Sequence, residues 1–163
     1  MLNCKEFVNA DEIAKGLSPF QPESISFQAG RIMLERINTL LESKSDFAFE
    51  TTLATRSYKT LIEKASSLGY KISLLFFWLP SADLAIERVK DRVKKGGHNI
   101  PEDVIVRSYK AGLQNFNHIS AAVVDEWILI NNSSTSSKTI AEYSKGKTVH
   151  VLNNQIFEKF FLR

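Results

Sequence analysis

The chain has 163 residues, of which 44% are hydrophobic and 24% charged, with a formal charge of +3. That balance excludes a wholly disordered polymer, and no apolar run approaches the roughly 20 residues a bilayer-spanning helix needs. The length favours a single domain over residues 1–163. One cysteine, Cys4, excludes an internal disulfide, and the first residues lack a signal-peptide apolar core. A reducing, cytoplasmic setting is the expectation. The positive charge is concentrated: residues 88–110 hold seven Lys/Arg against three acids. A local cluster of this kind suits an anionic ligand.

The elements alternate between strand and helix. Phe7-Val8 begins a short strand that ends near Asn9-Ala10-Asp11. A helix is expected over about 23–43, with Pro22 in its first turn. Ile25, Ala29, Ile32, Met33, Ile37, Leu40 and Leu41 give it one apolar face. Phe47-Ala48-Phe49 reads as a second strand ending in Glu50-Thr51-Thr52. A helix follows over about 57–68, stopped by Gly69. Lys71 to Leu79 is the third strand, and its near-continuous apolar run predicts burial on both faces. Ser81 caps a helix over about 82–95 that stops at Gly96-Gly97. Pro101 opens another helix to about 123. Trp127–Ile130 is the fourth strand, 131–137 a polar loop, 148–152 an edge strand and 155–161 a last helix.

This pattern predicts an α/β fold with a mostly parallel sheet flanked by helices. Ligands of such sheets bind beyond the carboxyl ends of the strands. The polar residues expected there are Asn9, Asp11, Glu50, Thr51, Thr52, Ser81, Asn131 and Asn132.

Asp11 could accept a proton from a substrate hydroxyl, or simply cap the turn or helix that follows. Glu50, followed by two threonines, suits a sugar hydroxyl or a metal's water shell; the alternative is a surface turn. Arg88 and Arg92 stand four apart on one helix, with Lys95 nearly in line. Arg107 follows the Gly-Gly-His-Asn-Ile-Pro loop. Two basic helices hinged at Gly96-Gly97 could close over a phosphate, which the planar guanidinium binds through paired oxygens. The opposing reading is a solvated face, with Asp91 and Glu102 pairing some of the bases. His98 could touch a phosphate or lie exposed in its loop. No zinc-ligand spacing, no G-x-S-x-G and no G-x-G-x-x-G occurs.

Several stretches, in order, resemble the zeta-toxin-like family of P-loop kinases, especially a less characterised branch described as ATPases. They are Phe7-Val8-Asn9-Ala10-Asp11-Glu12-Ile13-Ala14, Gly16-Leu17-Ser18-Pro19-Phe20, Ala29-Gly30-Arg31, Phe49-Glu50-Thr51-Thr52-Leu53-Ala54 and Gly69-Tyr70. The longest is Arg88-Val89 through Arg92-Val93, Gly96-Gly97-His98, Ile100-Pro101 and Arg107-Ser108-Tyr109, with Asn132-Ser133 beyond. The resemblance implies a kinase-like fold that uses ATP and Mg²⁺ to phosphorylate a small molecule, with residues 82–123 as a helical lid. Zeta toxins proper act on a hydroxyl of a UDP-linked amino sugar. By resemblance Asp11 takes the proton of the acceptor hydroxyl. Glu50, Thr51 and, less directly, Arg31 line the acceptor site. Arg88, Arg92 and Arg107 lie over the transferring phosphate. Asn132 sits near the adenine, and His98 near the nucleotide.

One departure stands out. The family's Walker A loop, G-x-x-x-x-G-K-[ST], should lie about 20–35 residues before Phe7, on the usual length of an α/β unit. Only six residues precede Phe7, and no such loop occurs in the sequence. The first, central strand and its phosphate loop are therefore expected to be absent. Ser144-Lys145-Gly146-Lys147-Thr148 imitates the motif but reads as a turn before an edge strand. Two explanations stay open: a start that lies upstream, or a remnant that no longer transfers phosphate. Three functions follow. The first is a small-molecule kinase impaired by loss of its phosphate loop. The second is a non-catalytic module that binds a nucleotide-sugar or a partner protein. The third and weakest is nucleic-acid binding, since Tyr109 apart, aromatic residues suited to stacking are missing from the basic segment. The acceptor, the oligomeric state and any antitoxin partner are not legible.

Overall fold

A computed structural model of the chain describes residues 4–120 and 123–161. They fall into two compact units. The first takes the chain up to Thr52 together with Val89–Pro101; the second takes Leu53–Arg88 and the residues from Glu102 on.

In the first unit β1 (Glu6–Val8) pairs in parallel with β2 (Phe47–Phe49), with Phe7 opposite Ala48. The crossover between them holds α1 (Ala10–Leu17), a 3-10 turn (Pro22–Ile25) and α2 (Ser26–Glu42). The apolar spacing read from the sequence is the buried stripe of α2: Ala29, Met33, Ile37, Leu40 and Leu41. Its polar side sends Arg36 to Glu6, 2.8 Å away, so helix and strand are also joined at the surface. The helix starts at Ser26 rather than Glu23, because Pro22 opens a tighter 3-10 turn first. α1 is absent from the sequence reading. Its signals are present: Asn9 as cap with Glu12 three residues later, acids in the first turn and Lys15 in the last. It buries only Ala14, so its apolar periodicity is too short to register.

The second unit is built on a four-stranded sheet in the order β3 (Ser73–Trp78), β4 (Glu126–Asn131), β5 (Lys138–Ser144), β6 (His150–Val151). β3 and β4 are parallel, and α4 (Ala82–Lys94) and α5 (Glu102–Ser120) lie between them in sequence. β4–β5 and β5–β6 are antiparallel. The parallel sheet expected from the sequence is thus met by β1–β2 and β3–β4, and the carboxy-terminal part makes the second sheet mixed. The expected extension of α5 past 120 falls partly outside the described residues.

Two expectations change here. β3 is an edge strand, so its run is not buried on both faces: Leu75 is 38% and Phe77 54% exposed, while Trp78 is buried. β5 was not expected at all. A register shift opposite Leu129/Ile130 leaves Ile140 as an extra residue, so Ile140 and Ala141 are both buried. That bulge breaks the alternation by which a strand is recognised. Gly146, at φ 81°, makes the turn after β5 that the Gly-Lys-Thr segment predicts.

Phe116 of α5 is fully buried at the centre of the second core. Its ring centroid lies 4.7 Å from Phe76, 5.3 Å from Phe160 of α6 (Asn154–Phe161) and 5.6 Å from Trp127. α3 (Ser57–Ser67) adds Ile62 to the same cluster. At the amino ends of β3 and β4, Asp125 accepts the Ile72 N–H at 2.9 Å and faces Lys145 Nζ at 3.3 Å. Among the described residues no helix is long and apolar enough to cross a membrane.

Phe116→Ala should cost about 3–5 kcal/mol in urea unfolding, the range for emptying a fully buried aromatic site. The Ile72 N–H bond, and secondarily Lys145, hold the Asp125 carboxyl below its ordinary pKa of 3.8 although burial opposes them. A depressed folded-state pKa adds stability above the unfolded value that is lost as pH falls through the folded one. Asp125→Asn should therefore lower the thermal midpoint at pH 7 and flatten its fall as pH drops through and below the ordinary carboxylate range.

Candidate functional site

In the first unit both strands end in polar residues, and one side chain organises them. Asn9, directly after β1, accepts the main-chain N–H of Asp11 at 2.7 Å and of Glu12 at 3.3 Å through Oδ1. It is the N-cap of α1. Its Nδ2 donates to Glu50 Oε2 at 2.9 Å. Glu50 stands directly after β2, and its own N–H extends the β1–β2 ladder to Val8 O at 3.2 Å. The cap role considered for Asp11 thus belongs to Asn9, and the Asp11 carboxylate is left to other partners.

Those partners come from the last turn of α4 and the loop after it. Arg92 Nη1 lies 3.8 Å from Asp11 Oδ2, and His98 Nε2 lies 3.8 Å from Asp11 Oδ1. Each oxygen faces a different side chain. Both distances exceed a direct hydrogen bond, so these contacts orient rather than bind tightly. A cavity of about 40 Å³ lies beside them, lined by Ala10, Asp11, Ala14, Pro22, Glu23, Ser26 and His98. The His98 side chain is only 14% exposed, so the expectation of a solvent-facing loop histidine is not met.

The Gly-Gly pair makes this approach feasible. Gly96 ends α4 at φ 89°, a conformation that favours glycine. Gly97 donates to Arg92 O at 2.9 Å. A Cβ on Gly97 would stand 2.5 Å from Arg92 Cγ and 2.9 Å from Arg92 O. The loop therefore folds back onto the same arginine that reaches Asp11. Thr51 is half-buried beside Glu50, and Arg31 is exposed on α2.

In the second unit the carboxyl ends of β3 and β4 carry a different group. Arg88 donates to the main-chain oxygen of Asn132. The Asn132 N–H donates to Trp78 O at 2.9 Å, and Asn132 Oδ1 accepts from the Ser137 hydroxyl at 3.0 Å. The Tyr109 hydroxyl of α5 donates to Leu79 O at 2.9 Å. Ser81 caps α4 by accepting the Leu84 N–H at 3.2 Å, as expected. Arg107 is exposed on α5. Arg88 and Arg92, four apart on one helix, thus have different tasks: one is tied to the end of β4, the other to Asp11. Asp91 takes Lys94 at 3.0 Å, so part of the basic segment is paired, as weighed against the lid.

Sequence reasoning placed Asn9 at a strand end without giving it a role, and it missed Asn115. Asn115 is buried and donates to Leu53 O at 2.8 Å, holding a leucine at φ 55° just past Glu50-Thr51-Thr52. No local pattern signals that bond, since its partners are 62 residues apart. Asn9 does have a signal, the Asn-x-x-Glu spacing of a helix start.

A family model described as Zeta toxin matches residues 9–151. An uncharacterized protein of Haemophilus influenzae is 28% identical over 102 residues, covering 63% of this chain and 73% of that protein. A chain from the structural characterization of the PezAT chromosomal toxin–antitoxin system of Streptococcus pneumoniae superposes with a TM-score of 0.63. The match covers 96% of this chain and 67% of that one at 15% identity, a likeness of P-loop-kinase-like α/β fold.

Gly97→Ala should displace Arg92 or unwind the end of α4, at a cost of roughly 1–3 kcal/mol for overpacking. Amide chemical shifts should then move in 92–98 and at Asp11. Gly16→Ala in α1, where no atom lies within 4 Å of the added Cβ, should leave that region unchanged.

Proposed function

The chain belongs to the zeta toxin family, and from that premise we propose that it carries the acceptor side of a phosphoryl-transfer site for a small-molecule hydroxyl. The carrying observation is the placement of Asp11 in the first turn of α1, with Arg92 at one oxygen, His98 at the other and Glu50 tied to the same cap. In this reading Asp11 receives the proton of the acceptor hydroxyl. The acceptor oxygen forms a bond to the γ-phosphorus of ATP as the bond to the β–γ bridging oxygen breaks, and ADP leaves. Glu50 and Thr51 hold the acceptor, and Arg31 borders it. Arg92, in the last turn of α4, stabilises the charge on the transferring group, and the family resemblance gives Arg88 and Arg107 the same role. Asn132 meets the adenine. A UDP-linked amino sugar is the acceptor class the family suggests. The toxin–antitoxin relative makes an antitoxin a candidate protein partner.

Among the described residues no group of three or more His, Cys, Asp or Glu is arranged to hold a metal ion. Mg²⁺ commonly arrives with the phosphates and takes only one or two carboxylates. These residues suit that mode, with Glu50 as the exposed carboxylate, and do not suit a protein cage. When bound, the ion would neutralise charge on the phosphates. The sequence contains no G-x-x-x-x-G-K-[ST] loop, whose N–H groups and lysine cradle the β- and γ-phosphates. The 163-residue chain is therefore proposed to bind acceptor better than ATP. That same observation favours the second reading, a module that binds a nucleotide-sugar without catalysis.

Calorimetry should find a UDP-linked amino sugar bound in the absence of ATP, with affinity reduced about tenfold or more by Glu50→Ala, which removes a charged hydrogen-bonding group. ATP should bind more weakly than micromolar. Any ATP-to-sugar transfer should be slow and fall about 10²-fold in Asp11→Asn. Micromolar ATP binding would contradict the phosphate-loop argument. Sugar binding that survives Glu50→Ala would contradict the acceptor site. Binding without any transfer, unaffected by Arg88→Ala, would favour the non-catalytic module.

A further inference from the structure

We infer that Asn9 is a positioning residue for the acceptor site, acting through Glu50 and the first turn of α1. This rests on the acceptor reading above and extends it to a residue that touches neither acceptor nor phosphate in that reading. The two ends of the carboxamide are chemically distinct and both are engaged. Oδ1 can only accept, and it takes the N–H groups of Asp11 and Glu12 at 2.7 and 3.3 Å. Nδ2 can only donate, and it gives to Glu50 Oε2 at 2.9 Å. The reverse orientation would set an NH₂ group against two N–H donors and an oxygen against a carboxylate, so the assignment is unambiguous.

Any good capping residue would satisfy the helix. Ser and Asp cap about as well as Asn. Neither serves Glu50 in the same way: Asp places a second carboxylate beside it, and Ser has one short hydroxyl and no separate NH₂ to reach Glu50. The choice of Asn at this position is explained by Glu50, not by the helix. One side chain therefore fixes two groups on different elements: the Glu50 carboxylate after β2, and the turn that carries Asp11. Their mutual placement depends on one rigid amide plane instead of two independent loops. Glu50 is exposed, so without this bond its carboxylate would sample several rotamers.

The test separates positioning from capping. In the intact chain, the Asn9 side-chain NH₂ signals in ¹H–¹⁵N spectra should show one proton shifted by the charged partner, and Glu50→Gln should abolish that shift. Asn9→Ser should leave the thermal midpoint unchanged within error, yet weaken binding of UDP-N-acetylglucosamine about as much as Glu50→Gln does. The double variant should be no weaker than either single one, since both remove the same link. Additive losses, or an Asn9→Ser chain that binds like the unaltered one, would overturn the inference. So would Asn9 NH₂ signals indifferent to Glu50→Gln. Failure of the unaltered chain to bind the sugar would count against the acceptor reading, and the NH₂ signals would then decide the Asn9–Glu50 link by themselves.

Discussion

Asn9 has one carboxamide and uses both ends of it. The oxygen closes the start of α1 and the nitrogen reaches across to Glu50, so β1, α1 and β2 are tied at a single residue. The constraint is geometric: a planar amide has a fixed separation between donor and acceptor. It sets Asp11 one residue into the helix, where the carboxylate is not consumed by the cap. The parallel pairing of β1 and β2 brings Asn9 and Glu50 to the same end of their sheet, which lets the amide span them. Everything proposed for the acceptor side descends from that arrangement.

The second constraint is the Gly96-Gly97 turn. It closes α4 and leads the chain back so that His98 joins Arg92 at the two oxygens of one carboxylate. These contacts contribute little to stability, because Asp11 and Arg92 are both substantially exposed. Stability comes from elsewhere: the apolar stripe of α2 in the first unit, and the Phe116 cluster in the second. Such a division suits a binding site. Side chains that are oriented but weakly held can exchange partners when a ligand arrives, without loss of either core.

How much of this was legible depended on the range of the interaction. The α2 stripe, the Ser81 cap, the stops at Gly69 and Gly96 and the fourth strand all rest on local spacing, and the sequence displays them. α1 escaped because an eight-residue helix with one buried alanine has almost no period. β5 escaped because its bulge buries two successive residues. β3 misled because a run of apolar side chains describes a strand covered on both faces, whereas here it lies at an edge. The candidate residues Asp11, Glu50, Arg92 and His98 were visible as residue types at strand and helix ends. Their partners were not, because Asn9–Glu50 and Asp11–His98 join residues far apart in the chain. His98 in particular looked like an exposed loop histidine until its neighbour was known.

The central claim is that the Asp11 carboxylate, set by the Asn9 cap, orients the end of α4 and its loop beside α1. Amide hydrogen exchange over residues 95–101, compared between the unaltered chain and Asp11→Ala, tests it most directly. The account predicts faster exchange across that loop in Asp11→Ala, with the α2 amides unaffected. Identical exchange in the two proteins would mean that Arg92 and His98 hold their places without Asp11, and the claim would fail.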